Sequence, residues 1–377
     1  MPAQNKRRVL ILQRILPPYR LGFFQRLSQS DRLDVTLAYG DASKASSLES
    51  LVDPPGVRRV PVHNRYVGKD EMIATQSQTV RLVNSGQFDA VIAEFSPRIL
   101  TNLLAYRAAV RRGIPFLWWG HGIRPKSDEI DIKIYLWMCK ASRALILYTQ
   151  DCADKLINRG VPAEKTFVAW NSIDTAEIEA LRQPFIASRR RSIVCIGRLI
   201  ADKKVDLLIR AFALAAPRLP AEMKLEVVGE GPERQKLEDL ADELGIRDRV
   251  EFAGSIYDQA HLAPIFNRSL AAVSPGYVGL SAMHCLAFGV PMLVARDEPH
   301  SPEIVAIEDG VNSVLFQSDS ADELADTLVA STADPERLES MSAAGMDSIS
   351  RRFSIGAMVS AFEAAVEYAC APSAKPV

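Results

Sequence analysis

Two doubly wound α/β units in tandem are predicted by three features of this chain. Short β-rich runs alternate with helical patterns from end to end, the signature of parallel sheets covered on both faces. The 377 residues exceed what one hydrophobic core organises, so two domains of roughly 180 residues each are expected. Apolar residues make up 48% and charged residues 24%, enough to fill a core in each unit.

Taken in order, strands are expected at 9–13, 34–38, 59–62, 90–93, 115–119, 144–148 and 167–170, with helices in most of the gaps. A second series follows at 193–196, 225–228, 250–253, 271–274, 292–295 and 313–316. Residues 171–191 hold no clear strand and end in Arg189-Arg190-Arg191, which puts the domain boundary near 185, with units 1–184 and 185–354. The last helical pattern, from Ile355, comes after every strand of the second unit, and the segment 355–377 can return to the first. Open α/β sheets bind ligands beyond the carboxyl ends of their strands, so two facing units would make a cleft with a ligand on each wall.

Composition removes several classes of function. Lys and Arg number 45 against 46 Asp and Glu, a net charge of −1, which fits neither an acidic disordered chain nor a basic nucleic-acid binder. The five cysteines, Cys139, Cys152, Cys195, Cys285 and Cys370, are scattered without a C-x-x-C pair. That argues against a disulfide framework and a zinc knuckle, and suits a reducing cytoplasm. No apolar run approaches the roughly 20 residues that cross a bilayer, and the N-terminus leads into a strand rather than a signal-peptide core. A cytoplasmic protein, or one peripheral at the inner face of a plasma membrane, is expected. The histidines lack an H-x-x-x-H pair and no D-x-D cluster ends a strand, so no metal site is expected.

Chemistry concentrates where strands end. The run Ser192-Ile-Val-Cys-Ile-Gly197 delivers Arg198 and Lys203 to a loop that opens into a helix near Val205, so two cations converge on one anion. Val278, Gly279 and Leu280 stand at another helix start, where unpaired N–H groups and the helix dipole favour a phosphate. Gly229-Glu230-Gly231 permits a tight turn after a strand. In Trp118-Trp119-Gly120-His121-Gly122 a histidine sits between glycines at a strand end, a position for function rather than core. Arg20, after Pro17-Pro18-Tyr19, suits an anion, with a surface loop as the plainer alternative. Glu94 suits a ligand hydroxyl and a helix cap equally. Residues 124–143 mix Arg124, Lys126, Lys133, Lys140 and Arg143 with Ile132, Tyr135, Trp137 and Met138. Such a stretch can rest on an anionic membrane, although a core-facing helix with a solvated basic face explains it better.

Five stretches together resemble a known family: G-R-L-I-A-D-K at 197–203, V-V-G-E-G-P-E at 227–233, V-E-F-A-G at 250–254, V-G-L-S-A-M-H-C-L-A-F-G-V-P at 278–291 and P-E-I-V-A-I-E-D-G at 302–310. They are similar to the retaining glycosyltransferases of family four, whose GT-B fold is two facing Rossmann-like domains. The resemblance is densest from 192 to 316. It implies transfer of a sugar, with retention and without cofactor or metal, from a UDP- or GDP-linked donor held by the second domain. The implied acceptor, on the first domain, is a glycan or a polyprenyl-linked or other lipid-linked glycan of bacterial surface polysaccharide or lipopolysaccharide synthesis.

By the same resemblance Arg198 and Lys203 bind the donor diphosphate and stabilise it as it leaves. Charge grows on the β-phosphate when the glycosidic bond breaks, and prearranged cations reward that transition state. Gly229, Glu230, Gly231, Ser255 and Ile256 would lie beside the nucleotide. His121 would touch the donor sugar or its phosphate without acting as a base. From their positions after strands, Arg20 would meet an anionic acceptor or the donor phosphate, and Glu94 an acceptor hydroxyl. Asn171-Ser172-Ile173-Asp174 is similar to the family's interdomain N-G-V-D turn.

One departure stands out. Many members carry two glutamates eight positions apart, and the matching positions here are Gly276 and His284. The resemblance leaves His284 to hydrogen-bond the ribose, and the backbone amides of Tyr277 to Gly279 or the carboxylate of Glu303 to fix the sugar. Two rivals stay open: a nucleotide-sugar epimerase or hydrolase, and a non-catalytic sugar-nucleotide binder suggested by the lost carboxylates. The positioned phosphate set, together with His121, favours catalysis.

Overall fold

The computed structural model describes residues 6–43, 49–68, 73–123 and 129–372. The chain divides into two compact units, one made of Met1–Ile173 with Ile355–Val377 and the other of Asp174–Ser354. Each is built on a parallel sheet.

In the first unit the strands are β1 (Arg7–Leu12), β2 (Leu33–Tyr39), β3 (Arg59–Pro61), β4 (Asn64–Val67), β5 (Ile73–Gln76), β6 (Ala90–Glu94), β7 (Phe116–Gly120), β8 (Ala144–Leu147) and β9 (Thr166–Val168). Seven of them form one parallel sheet in the order β3-β2-β1-β6-β7-β8-β9. The helices are α1 (Leu21–Ser28), α2 (Thr79–Asn84), α3 (Leu100–Arg111), α4 (Glu129–Ala141) and α5 (Gln150–Ile157). Alternation along β1 shows why both faces need cover. Val9 and Ile11 pack with Phe23, Phe24 and Leu27 of α1, whereas Leu10 and Leu12 join a second cluster with Ala105 of α3 and Met138 of α4.

The antiparallel pair β4–β5 was not expected. Its two strands are short and polar, so they leave no alternating apolar pattern. Buried amides hold it instead. The Gln76 side chain donates to the Gln13 carbonyl (2.8 Å) and to Asn64 Oδ1 (3.0 Å), and Asn64 donates to the Arg14 carbonyl (2.7 Å), which props the loop after β1.

The second unit carries β10 (Ser192–Ile196), β11 (Lys224–Val228), β12 (Val250–Gly254), β13 (Ser269–Ser274), β14 (Met292–Ala295) and β15 (Ser313–Phe316) in the parallel order β12-β11-β10-β13-β14-β15. Around it run α6 (Ala176–Leu181), α7 (Val205–Ala215), α8 (Arg234–Glu243), α9 (Gln259–Arg268), α10 (Ser281–Ala287), α11 (Ala321–Ala333) and α12 (Pro335–Arg352). The division falls between Ile173 and Asp174, ahead of the boundary near 185 expected from sequence. Residues just after α6 are tied into the second unit: Asn267 donates to the Leu181 carbonyl (3.0 Å), Gln183 N–H to Asn267 Oδ1 (3.0 Å) and Arg182 to the Ala287 carbonyl (2.7 Å).

The last helix, α13 (Ile355–Cys370), belongs to the first unit. Its apolar face, Met358, Val359, Phe362, Ala365, Val366 and Ala369, enters the cluster that holds Phe23 and Trp119. The stretch Pro335–Cys370 is long and apolar enough to satisfy a membrane-span criterion. Here it is two helices whose apolar residues are buried, Leu338 and Met341 in the core of the second unit and the face of α13 in the first.

Candidate functional site

In both sheets one pair of neighbouring strands is joined by no direct crossover: β1 and β6 in the first, β10 and β13 in the second. At such a switch point the connections leave toward opposite sides and open a crevice beyond the strand ends. Each unit has a cavity there.

In the second unit the cavity is a narrow slot of about 10 Å³, room for about one water molecule. Gly197 and Arg198 line it after β10, Ser274 and Pro275 after β13, and Lys203 beside them. Arg198 is exposed. Lys203 is half-buried; its Nζ donates to the Tyr277 carbonyl at 2.8 Å and lies 3.5 Å from the centre of the Tyr277 ring. Burial, with a smaller contribution from the Arg198 cation, pushes its ammonium down to about 8, while Glu303 acts the other way. Glu303 is buried, near enough to be felt by Lys203 where it stands.

The glycines here serve close approach of backbones. A Cβ on Gly229, whose φ is +146°, would stand 1.8 Å from the Gly197 carbonyl oxygen, and one on Gly231 would stand 2.2 Å from that of Leu199. Leu199 N–H donates to the Glu230 carbonyl (2.9 Å), so the two loops are laced together. The Gly229–Gly231 turn therefore carries the Arg198 loop, and the Glu230 carboxylate is engaged by Arg234. Ser255 is exposed and Ile256 half-buried just after β12.

At Gly276, where the resemblance expects a carboxylate, the structure leaves no room for a side chain. A Cβ there would meet the Asp202 carbonyl oxygen at 2.2 Å and the Lys203 Cα at 2.9 Å, so the backbone that carries Lys203 fills the space. The three amides named as substitutes are not all available, since Val278 N–H donates to His300 Nδ1 at 3.0 Å. Ser301 N–H in turn donates to the Val278 carbonyl at 3.0 Å. His300 was missed from sequence, although its place between Pro299 and Pro302 marked a constrained loop. Gly279 and Leu280 come directly before α10, as expected. His284 on α10 is half-buried with its Nδ1 shielded from solvent; burial pushes its imidazolium down to about 4, so the ring is neutral, and Nδ1 has no hydrogen-bond partner among the described residues.

The first unit brings Arg20, Glu94 and His121 together in a cavity of about 210 Å³, lined also by Arg14, Trp119 and Tyr148. Arg20 is not on a surface loop: it is 8% exposed, its guanidinium 4.6 Å from the Trp119 ring centre, and it donates to the Tyr148 hydroxyl at 2.8 Å. Burial pushes the Tyr148 phenol up to about 12, against the opposing effect of Arg20. His121 packs edge-on against Tyr148 at 4.5 Å between ring centres. Glu94 accepts from Arg14 N–H at 3.3 Å. Tyr148, which joins Arg20 to His121, went unnoticed in the sequence because it directly follows the uniformly apolar strand β8. The strand before His121 runs through both tryptophans to Gly120. Of the basic and apolar stretch, Arg124 and Lys126 lie outside the described residues. Apart from Arg143, which precedes β8, the other named residues lie on α4, which buries Tyr135, Met138 and Cys139 and exposes Lys133, Trp137 and Lys140.

Comparison with known proteins agrees with this geometry. Residues 177–347 match the glycosyl transferases group 1 family and residues 25–177 match glycosyltransferase family 4. A GDP-mannose-dependent alpha-(1-6)-phosphatidylinositol monomannoside mannosyltransferase of Mycolicibacterium smegmatis is 25% identical over 291 residues, 71% of this chain and 74% of that protein. An alpha-D-kanosaminyltransferase of Streptomyces kanamyceticus is 27% identical over 213 residues, 54% of each chain, so this chain matches about half the length of that relative. Among solved structures, a glycosyltransferase of Rickettsia africae superposes with a TM-score of 0.76 at 12% identity, over 98% of this chain and 100% of that one. The Anabaena HepE protein in complex with UDP and glucose superposes with a TM-score of 0.67 at 18% identity, over 94% and 97%.

Proposed function

This chain belongs to the GT-B glycosyltransferases of family four, and from that premise we propose a retaining, metal-independent transfer of a hexose from a UDP- or GDP-linked donor to a lipid-linked glycan of a bacterial surface. The observation that carries the proposal is the convergence of Arg198 and Lys203 at the β10–β13 switch point. The slot itself admits about one water, so the diphosphate lies across its mouth. There the Arg198 fork meets the phosphate oxygens and Lys203, fixed by Tyr277, supplies a point charge.

When the bond from the anomeric carbon to the β-phosphate oxygen breaks, the electron pair stays on that oxygen, where both cations favour it. The acceptor hydroxyl attacks from the same face, and its proton passes to the leaving phosphate, so no protein base is needed. His284, neutral and with its Nδ1 unpartnered, suits a ribose hydroxyl. Glu303, beside Lys203, suits a sugar hydroxyl. The cavity with Arg20, Glu94 and His121 is the acceptor side, and His121 is the member of it assigned to the donor. The mannosyltransferase relative acts on a phosphatidylinositol glycolipid by its name, which supports a lipid-linked acceptor. All five cysteines are free thiols, in keeping with a cytoplasmic setting.

The test is to incubate the protein with UDP- and GDP-hexoses and a short-chain polyprenyl-linked acceptor, with and without EDTA, and to read the anomeric coupling of the product. An α-linked product from an α-linked donor, formed equally in EDTA, is expected. An inverted linkage, a requirement for metal, or donor consumption that ignores the acceptor would each overturn the corresponding part.

A further inference from the structure

We propose that the outward face of α3 and α4 docks on an anionic lipid bilayer. Five of the twelve exposed large apolar side chains among the described residues stand on these two helices: Leu100 (46% exposed), Leu104 (51%), Val110 (56%), Ile130 (69%) and Trp137 (50%). Scattered exposed apolar residues need no explanation, whereas a cluster on neighbouring elements marks an interaction surface.

The periodicity is regular. On α3 the exposed stripe reads Leu100, Leu104, Arg107, Arg111 at spacings that keep to one helix face. On α4 it reads Ile130, Lys133, Trp137, Lys140 in the same way. The helices are neighbours: Trp137 stands edge-on to Tyr106 of α3 at 5.7 Å between ring centres, and the Tyr106 hydroxyl donates to the Ala141 carbonyl at 3.2 Å. The indole is thus held with half its surface outward, and the inner faces are occupied by core residues such as Ala105, Ala109, Met138 and Cys139.

Charge selects the occupant. Residues 100–112 and 129–141 carry five cations and two carboxylates in a chain whose net charge is −1. Long basic side chains interleaved with aliphatic ones and a tryptophan fit the headgroup boundary of an anionic leaflet, where the apolar tips enter and the cations meet lipid phosphates. No residue of this surface lines the cavity of its own unit, and docking does not depend on the donor reading.

The full chain is to be sedimented with vesicles of phosphatidylcholine alone and of phosphatidylcholine mixed with phosphatidylglycerol. Binding is expected to the mixed vesicles, weakening with salt, with a blue shift of Trp137 fluorescence that is absent in Trp137→Phe. The double variant Lys133→Glu/Lys140→Glu should lower partitioning more than about tenfold, since each cation near the surface matters. Leu104→Ser should also lower it. These exposed positions leave the fold intact, checked by an unchanged Tm and by unchanged stabilisation with UDP or GDP. No binding, or equal binding by the charge-reversed protein, would overturn docking while leaving the donor site standing. A dimer in solution that Trp137→Ser dissolves, without vesicle binding, would assign this face to a second copy and also overturn it.

Discussion

Lys203 ties protonation to ligand binding. Burial lowers its pKa from 10.5 to about 8, so between those values the unfolded chain holds more protons than the native one. The buried charge therefore opposes folding fully below about 8, and that opposition fades as pH rises toward 10.5. Diphosphate affinity runs the other way. It should fall as pH rises through about 8, and binding there should take up a proton, read as a calorimetric enthalpy that varies with the buffer. Lys203→Arg should remove both effects, because a guanidinium stays charged; an alkaline limb unchanged in that variant would exclude Lys203. Gly276→Glu gives a second outcome. Restoring the family's residue by sequence should weaken donor binding and lower Tm rather than improve turnover, because the Asp202 and Lys203 backbone fills that space. That Arg198 and Lys203 stand together was legible in the sequence, since a contiguous motif follows one strand. Tyr148 and His300 were not, because their roles depend on partners at Arg20 and Val278, 128 and 22 residues away.

At the scale of elements, α13 is structural support for a cavity it does not line. Phe362 meets Phe23 and Trp119 at 4.9 Å each, and Trp119 also lines the cavity with Arg20 and His121. Phe362→Ala should cost about 3–5 kcal/mol by denaturant titration, the range for a buried aromatic truncated to alanine. A loss below about 1 kcal/mol would mean that α13 is dispensable to the first unit. The strands of both sheets were readable because residues such as Val9 to Leu12 are apolar on both faces, which only a doubly covered parallel strand requires. The β4–β5 pair was unreadable for the converse reason, since it rests on Asn64 and Gln76 amides rather than an apolar pattern. The boundary was misplaced because the polar surface of α6 hides the ties of Leu181 to Asn267 and of Arg182 to Ala287 that only folding reveals.

Over the whole molecule, one topological rule places both cavities. In each unit the cavity opens beyond the strand ends at the switch point, and in the first it extends to His121 after β7 and Tyr148 after β8, so two unrelated side-chain sets stand on equivalent scaffolds. The unit with Arg198 and Lys203 is the one equipped for an anion, and everything proposed about transfer depends on a nucleoside diphosphate binding there. The direct measurement is thermal stabilisation of the wild type, Arg198→Ala and Lys203→Ala by UDP and GDP. A ligand that binds only the native state at a hundred times its Kd adds about 2.7 kcal/mol. The wild type should be stabilised by one of the two diphosphates and both variants should lose most of that gain while keeping their own unliganded fold. No stabilisation by either diphosphate, or an equal gain in all three proteins, would contradict the account.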